Sequence, residues 1–454
     1  MNLFAKLSER DAAGRPIRIG LIGAGKFGTM FLTQVLRTPG MHLVGLADLD
    51  PDRAIRQLQA AGWPASRHDA ASLDAALKDR KTFVTDNADV LIAHSAIDVI
   101  VEATGDPKTG IRFALDTMAQ GKHIVMVNVE ADALAGPHLA RKAQAAGVVY
   151  SLAYGDQPAL ICEQVDWARA CGFRVISAGK GTRYHPTYHR SNPDTVWDIL
   201  DKYLKIDDRA SINPKMFNSF IDGTKSGIEM TAVCNATGLV PQRDGLGFPP
   251  ASRFALANIC KPKSEGGMLD AFGVTEVVSS VDRDEADIPH HLAMGTYVVF
   301  EGDSDYARRC FREYHLMPDA SGRYAAMYRP THMIGLELGI SIASVALRGE
   351  PTGAPVGFHS DVVAVAKRDL KAGEMLDGEG GFCVWGKQAP AQMSLDAGYL
   401  PLGLAHQVAL TRDIAEGAPL TWADVAIDET DSAVRVRREM EAAFGRRNMV
   451  ADPA

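Results

Sequence analysis

The segment Gly23-Ala24-Gly25-Lys26-Phe27-Gly28 constrains this chain more than any other. It follows an apolar, β-branched run, Ile17 to Ile22, and opens a helical stretch from Lys26 to Leu36. In such a strand–turn–helix unit the first glycine permits the tight turn. The second lets the backbone approach a pyrophosphate, and the third lets the helix pack closely on the strand. The helix N-terminus then offers free N–H groups and a positive dipole end to the phosphates. A second strand, Leu43 to Ala47, ends at Asp48, about 20 residues past Gly28, where a carboxylate can accept both ribose hydroxyls. Further strands read at Asp98 to Ala103, His123 to Asn128 and Val148 to Ser151, with helical patterns between them. Buried strands alternating with helices indicate β/α units on a parallel sheet.

The expectation is therefore an α/β chain that begins with a Rossmann-type NAD(P)-binding domain over residues 1–155. Gly23, Gly25, Lys26, Phe27, Gly28 and Asp48 are its first cofactor residues. Thr104, Gly105 and Asn128 close the next two strands, at the carboxyl edge where ligands bind, with Asn128 a candidate for the nicotinamide. Asp48 favours NAD because it would repel a 2′-phosphate. Arg53, one turn into the following helix, could pair with that phosphate, so NAD and NADP both stay open.

The formal net charge of −8 gives the protein no reason to prefer a polyphosphate backbone, so nucleic acid is not an expected partner. An anionic ligand must instead be held by local positive charge. The six cysteines form no C-x-x-C pair and no Cys/His cluster, which indicates neither zinc nor a disulfide framework. The first residues lack an apolar signal core. The best membrane candidate, Ile334 to Leu347, is too short and contains Glu337. A soluble, cytoplasmic protein without a membrane partner is expected.

The middle region, 156–350, reads as an α+β catalytic and oligomerisation domain, so a homo-oligomer is expected. Strands read at Val175 to Ala178, Glu276 to Val281 and Tyr297 to Glu301, and a buried helix over Thr331 to Leu347, which could pack back on the first domain. Two glycine-flanked lysines stand in segments read as loops: Lys180 in Ser177 to Arg183, and Lys225 in Asp222 to Ser226. Lys and Arg beside Thr or Ser hydroxyls suit a phosphate or carboxylate, and a lysine near a carbonyl can protonate a developing alkoxide. Lys180, Lys225 and Asp222 are the catalytic candidates. Thr182, Arg183, Ser226, His291 and Arg329 are the substrate-binding candidates. Glu229 lies one helical turn after Lys225, where a surface ion pair is the first reading and a metal or proton-transfer role the second.

After the Pro/Gly segment Gly349 to Gly357 comes a small β-rich domain, 351–454. It contains a short repeat, Arg368 to Leu376 (RDLKAGEML) and Arg412 to Leu420 (RDIAEGAPL), in which Arg-Asp-aliphatic, Gly and Leu recur in register. This tail is not expected to hold the catalytic centre.

The segments GLIGAGKFG, DVIVEATGDP and GKHIVMVN resemble the NAD(P) domain of homoserine dehydrogenases. With GDQPAL, GKGTRYHP, DGTKSGIEM and YRPTHMIGLE, the chain resembles the 1-deoxy-D-xylulose 5-phosphate reductoisomerase-like (DRL) oxidoreductases, which carry a C-terminal SAF-like domain. The resemblance implies NADPH-dependent conversion of 1-deoxy-D-xylulose 5-phosphate to 2-C-methyl-D-erythritol 4-phosphate, a step of isoprenoid biosynthesis, or reduction of another small anionic hydroxy-carbonyl compound. In the reductoisomerase version a divalent metal, magnesium or manganese, would chelate the substrate, with Asp222 and Glu229 as its suggested ligands. Homoserine dehydrogenases have Lys after the Asn of the GKH strand. Val129 and Glu130 stand there instead, which moves the catalytic cation to Lys180 or Lys225. A sugar-acid lyase and a non-catalytic NAD-binding sensor remain as alternatives.

Overall fold

Apolar runs in the first third become six parallel strands in the computed structural model, which describes residues 2–203 and 213–445. They are β1 (Ile17–Ile22), β2 (Met41–Ala47), β3 (Phe83–Thr85), β4 (Val99–Glu102), β5 (His123–Met126) and β6 (Tyr150–Leu152). Their order is β3-β2-β1-β4-β5-β6. The order reverses between β1 and β4, and the carboxyl ends of those two strands flank the crevice that binds ligands in such sheets. Two helices matter below: α1 (Leu3–Ala12) and α2 (Lys26–Val35). Ile19, Leu21, Leu43, Leu46, Val99, Val101 and Val125 form the core with Phe31 and Leu32 of α2. The short edge strand β3 was not foreseen, because three residues carry no readable alternation.

The helix expected over Thr331 to Leu347 begins only at Gly339 and runs to Arg348. Gly335 stands at φ +80°, a left-handed conformation that an α-helix cannot run through. Leu338, Ile342, Ala343 and Val345 join the core of the parallel sheet. One compact unit accordingly takes the chain up to Leu160 together with His332–Pro355. The other takes Ile161–Thr331 and the chain from Val356 onward, so the middle and tail segments share one unit. Residues 446–454 of the expected tail domain lie outside the described residues.

The second unit is built on a four-stranded sheet of order β10-β9-β7-β8, made of β7 (Arg174–Thr182), β8 (Val274–Ser279), β9 (Thr296–Glu301) and β10 (Tyr324–Arg329). Strand alternation gives it two buried faces. Ala178, Val277, Val298, Phe300 and Ala325 pack on one side with Met230 and Val233. Ile176, Val278, Tyr297, Val299 and Tyr324 pack on the other with Leu256 and Ala257. Met230 and Val233 belong to helix α3 (Thr224–Thr237), which starts after Gly223 at φ +90° and stops at Gly238 at φ +74°. Apart from Lys225 it is buried from Thr224 to Asn235, as expected of a helix covered on all sides.

The tail supplies two antiparallel pairs, β11 (Ser360–Ala366) with β13 (Val384–Pro390) and β12 (Met375–Asp377) with β14 (His406–Ala409). The sequence repeat is a reciprocal clasp. Leu370 and Ile414 exchange both backbone hydrogen bonds, at 2.8 and 3.0 Å. Asp413 Oδ1 accepts from the amide of Ala372, and Asp369 Oδ1 accepts from the amide of Glu416, each at 2.9 Å. The conserved spacing within each copy is what lets the two acids cap each other's turns.

Candidate functional site

In the first unit the glycine turn divides its labour among three backbone positions. Gly23 has φ +100°, and a Cβ there would stand 2.5 Å from the carbonyl oxygen of Ala103. A Cβ on Gly28 would overlap the Gly23 carbonyl, so the helix touches the turn directly. Gly25, at the start of α2, meets nothing within 4 Å, and no side chain caps the helix there. Gly105, at φ +75°, also has open space around it. Lys26 is exposed at the first helical position, whereas Phe27 packs into the core. Open space at an uncapped helix N-terminus fits a pyrophosphate.

Asp48 is buried and already committed. Its Oδ2 accepts from the amide of Ala24 at 2.7 Å, and its Oδ1 accepts from Asp50 N at 3.0 Å and from Arg53 at 2.6 Å. Arg53 is half-exposed, so the ion pair presents a guanidinium, not a bare carboxylate, to solvent. Asn128 is likewise spoken for. Its Oδ1 caps the following helix at Ala131, and its Nδ2 donates to Asp106 O at 2.8 Å. These bonds make Asn128 a clip between two strand ends. Thr104 donates from its backbone to Glu102 Oε1 at 2.9 Å, and its hydroxyl bonds the same oxygen. Burial raises the Glu102 carboxyl to about 7, against which the Thr104 bonds act. His123 takes the structural role its strand-start position implies, with Nδ1 accepting from Val149 N at 3.0 Å.

In the second unit both lysine segments correct the loop reading. Lys180 lies inside β7, and Lys225 lies in the first turn of α3. The glycines beside Lys180 serve the sheet rather than a ligand. A Cβ on Gly179 would overlap the Glu276 carbonyl, and one on Gly181 the Leu292 carbonyl.

Register then assembles a polar row. Arg329 of β10 pairs with Thr296 of β9, and Thr296 pairs with Lys180 of β7. Directly paired residues project to one face, here the face that carries Ala178, Val298 and Ala325 toward α3. Glu229 of α3 meets Lys180 in an ion pair that is buried on both sides. This replaces both the metal-ligand reading of Glu229 and its surface pairing with Lys225. Thr296 Oγ1 is buried without a hydrogen-bond partner among the described residues, as is Ser226 Oγ, one helical turn before Glu229. Buried orphan hydroxyls are costly unless something fills the site. The row thus offers an ammonium, a carboxylate and two hydroxyls, with Arg329 adding positive charge beside Thr296.

Asp222, the third catalytic candidate, is not part of the row. Its Oδ1 caps the amide of Thr224 at 2.9 Å, and its Oδ2 pairs with Lys367 at 2.8 Å. Lys367 also donates to Ser191 O and Gly381 O, at 2.7 Å each, so its three protons are used. The tail therefore braces the turn that starts α3, a contribution the sequence did not disclose. Asp222 and Glu229 are each held by a lysine, and no group of three or more His, Cys, Asp or Glu that could hold a metal exists among the described residues. The donor set does not fit a resident divalent cation. Arg183 pairs with Asp287 at 2.5 Å and lies over Tyr203, which turns it away from a substrate role. His291 is exposed, its Nδ1 accepting from Ala293 N at 3.3 Å. Thr182 follows Lys180 on the same face of β7. Thr296 was missed altogether, since a lone threonine before Tyr297 carries no signal without the register.

Three family models match successive parts of the chain. Residues 23–152 match the NAD-binding domain of homoserine dehydrogenase, 155–338 the catalytic domain of oxidoreductase DRL, and 361–426 the SAF domain. Together they describe an NAD(P)-binding oxidoreductase. Comparison with curated proteins gives no match. Among solved structures, a homoserine dehydrogenase from Thiobacillus denitrificans is 16% identical, with 73% of each chain covered and a TM-score of 0.43. A dihydrodipicolinate reductase from Paenisporosarcina sp. TG-14 is 12% identical, covering 73% of this chain and 95% of that one, with a TM-score of 0.34. No helix among the described residues is long and apolar enough to cross a membrane.

Proposed function

Since the chain joins a homoserine dehydrogenase-type NAD-binding domain, an oxidoreductase DRL catalytic domain and a SAF domain, we propose that it reduces a small anionic hydroxy-carbonyl compound with NAD(P)H. The observation that carries this reading is the row Arg329–Thr296–Lys180 facing Glu229. The open N-terminus of α2 at Gly25 would hold the cofactor's pyrophosphate. Arg53, standing over Asp48, would take a 2′-phosphate, which favours NADPH over NADH. The bound cofactor supplies a hydride to the carbonyl carbon.

Lys180 donates the matching proton to the carbonyl oxygen, so that C=O becomes CH–OH as the charge develops. Glu229 supplies the counter-charge that a buried ammonium requires. Thr296 and Ser226 offer hydrogen bonds to the substrate's hydroxyl groups. Arg329 and Lys225 attract its phosphate or carboxylate, as an acidic chain must do locally. This reading needs no resident metal, in keeping with the donor set.

The test is NADPH oxidation across a panel of phosphorylated and carboxylated hydroxy-ketones and hydroxy-aldehydes, beginning with 1-deoxy-D-xylulose 5-phosphate. Cofactor consumption with stoichiometric alcohol supports the proposal. Product without cofactor consumption would make the protein a lyase, and tight cofactor binding without turnover across the panel would make it a sensor.

A further inference from the structure

We infer that the NAD-binding unit carries a second anion site, at the sheet edge opposite the glycine turn, that takes a small polyanion bearing phosphates or clustered carboxylates. A cavity of about 740 Å³ opens at the amino ends of β1, β4 and β5. Its size lies within the usual range for small-molecule sites. Six residues of β1 separate it from Gly23, a distance of about 20 Å along the strand. It is therefore distinct from the cofactor's pyrophosphate position.

The lining is cationic in an acidic protein. Arg10, Arg15, Arg18, Arg80 and Lys122 line the cavity, and Asp98 is its only carboxylate among the described residues. Asp98 is neutralised by Arg18, which donates to both its oxygens at 3.0 and 2.6 Å. Asp11 stands 3.8 Å from Arg80 at the rim, and Lys6 and Glu9 offset each other in the small adjoining hollow. Arg10 and Arg15 have no carboxylate partner among the described residues. An excess of positive charge remains.

Lys122 is the strongest pointer to a ligand. It is 5% exposed, yet among the described residues its ammonium has one partner, the carbonyl of Ile92 at 2.5 Å, and no carboxylate. Two of its three donors are unspent. Burial lowers its pKa for want of a counter-charge. Beside it, His123 accepts from the Val149 amide through Nδ1, so its neutral ring carries the proton on Nε2, a further donor. His42 bonds the Lys81 carbonyl through Nε2, and burial lowers its pKa.

Helix ends explain part of this charge but not all. Helices α1, Leu73–Asp79, Ala88–Ala93 and Pro107–Ala119 end near this edge, and their carbonyl ends together amount to about two negative charges at most. That accounts for the Lys122 bond to Ile92 and for Arg80 at its helix end. It does not account for Arg15, which lies in the connection after α1.

The test is calorimetric titration of inorganic pyrophosphate, and separately of citrate, into the full chain carrying Gly25→Asp, which removes the cofactor's own phosphate site. One equivalent of either anion should bind. Arg15→Ser, at an exposed position, should weaken binding about tenfold, and Arg15→Ser with Lys122→Met at least about a hundredfold, with circular dichroism unchanged. Pyrophosphate alone binding would assign a phosphate ligand, and both binding a general polyanion. No binding in the Gly25→Asp background, or binding indifferent to Arg15→Ser, would overturn the inference. Neither result bears on NADPH turnover, which is measured with Gly25 intact.

Discussion

The glycine turn of the first unit and the polar row of the second are both candidate sites, but they are made of different material. The turn is made of backbone. Its fitness for a pyrophosphate comes from three positions without a Cβ and from an uncapped helix end. The row is made of side chains from three strands and a helix, brought together by register and buried. A backbone site tolerates most changes nearby and fails when a side chain enters it. A side-chain site fails when any charge loses its partner.

The largest effect should therefore come from filling the turn. Gly25→Asp places a side chain and a negative charge in the open space before α2, and fluorescence titration should find no NADPH binding in a protein that unfolds at the parental temperature. Binding unchanged from the parent would mean that the phosphates lie elsewhere.

The row should break differently. Lys180→Met leaves the Glu229 carboxylate buried and alone, which should cost about 3–5 kcal/mol in urea denaturation. Adding Glu229→Gln should return most of that loss. If the single variant is as stable as the parent, the pair is not buried in solution.

Buried carboxyls in both units make stability depend on pH in the same direction. Folded Glu102 holds its proton to about pH 7, whereas the unfolded chain releases it near 4.5. Between those values the folded state binds more protons, so stability falls as pH rises and has lost about 3 kcal/mol above pH 7. Asp132 in the first unit and Glu276 in the second are raised to about 7 by burial and act in the same direction. Glu102→Gln should flatten part of the slope, read by denaturation from pH 5 to 8. An unchanged slope would place the effect in the other two carboxyls.

Smaller still, Arg53→Ala should weaken NADPH binding about tenfold and leave NADH unaffected, since one charge-assisted contact to a phosphate is at stake. Equal loss for both cofactors would make Arg53 a brace for Asp48 only. Lys371→Ala, in an exposed ion pair with Asp413 in the tail, should leave turnover within about twofold of the parent.

The same contrast explains what could be read in advance. Gly23, Gly25 and Gly28 announce a turn because glycine's freedom is local and the spacing is fixed by one strand and one helix. The Arg368 and Arg412 repeat was legible for the same reason, though its reciprocal caps were not. The row was half legible. Lys180 and Arg329 stood out as cations, but Thr296 had no local signature, and only the pairing of β7, β9 and β10 puts the three side by side. Asp222 misled because its turn suits a ligand, while the lysine that consumes it, Lys367, lies far along the chain. Asp48 and Asn128 were legible by their strand-end positions, but their bonds to neighbouring backbone were not.

The central claim is that Lys180 delivers the proton that accompanies hydride transfer. Single-turnover oxidation of prebound NADPH tests it most directly, comparing the parent with the Lys180→Met, Glu229→Gln double variant, in which the buried charges are removed together. The account predicts a hydride-transfer rate at least about a hundredfold lower, with NADPH affinity unchanged. A rate within about threefold of the parent would contradict it.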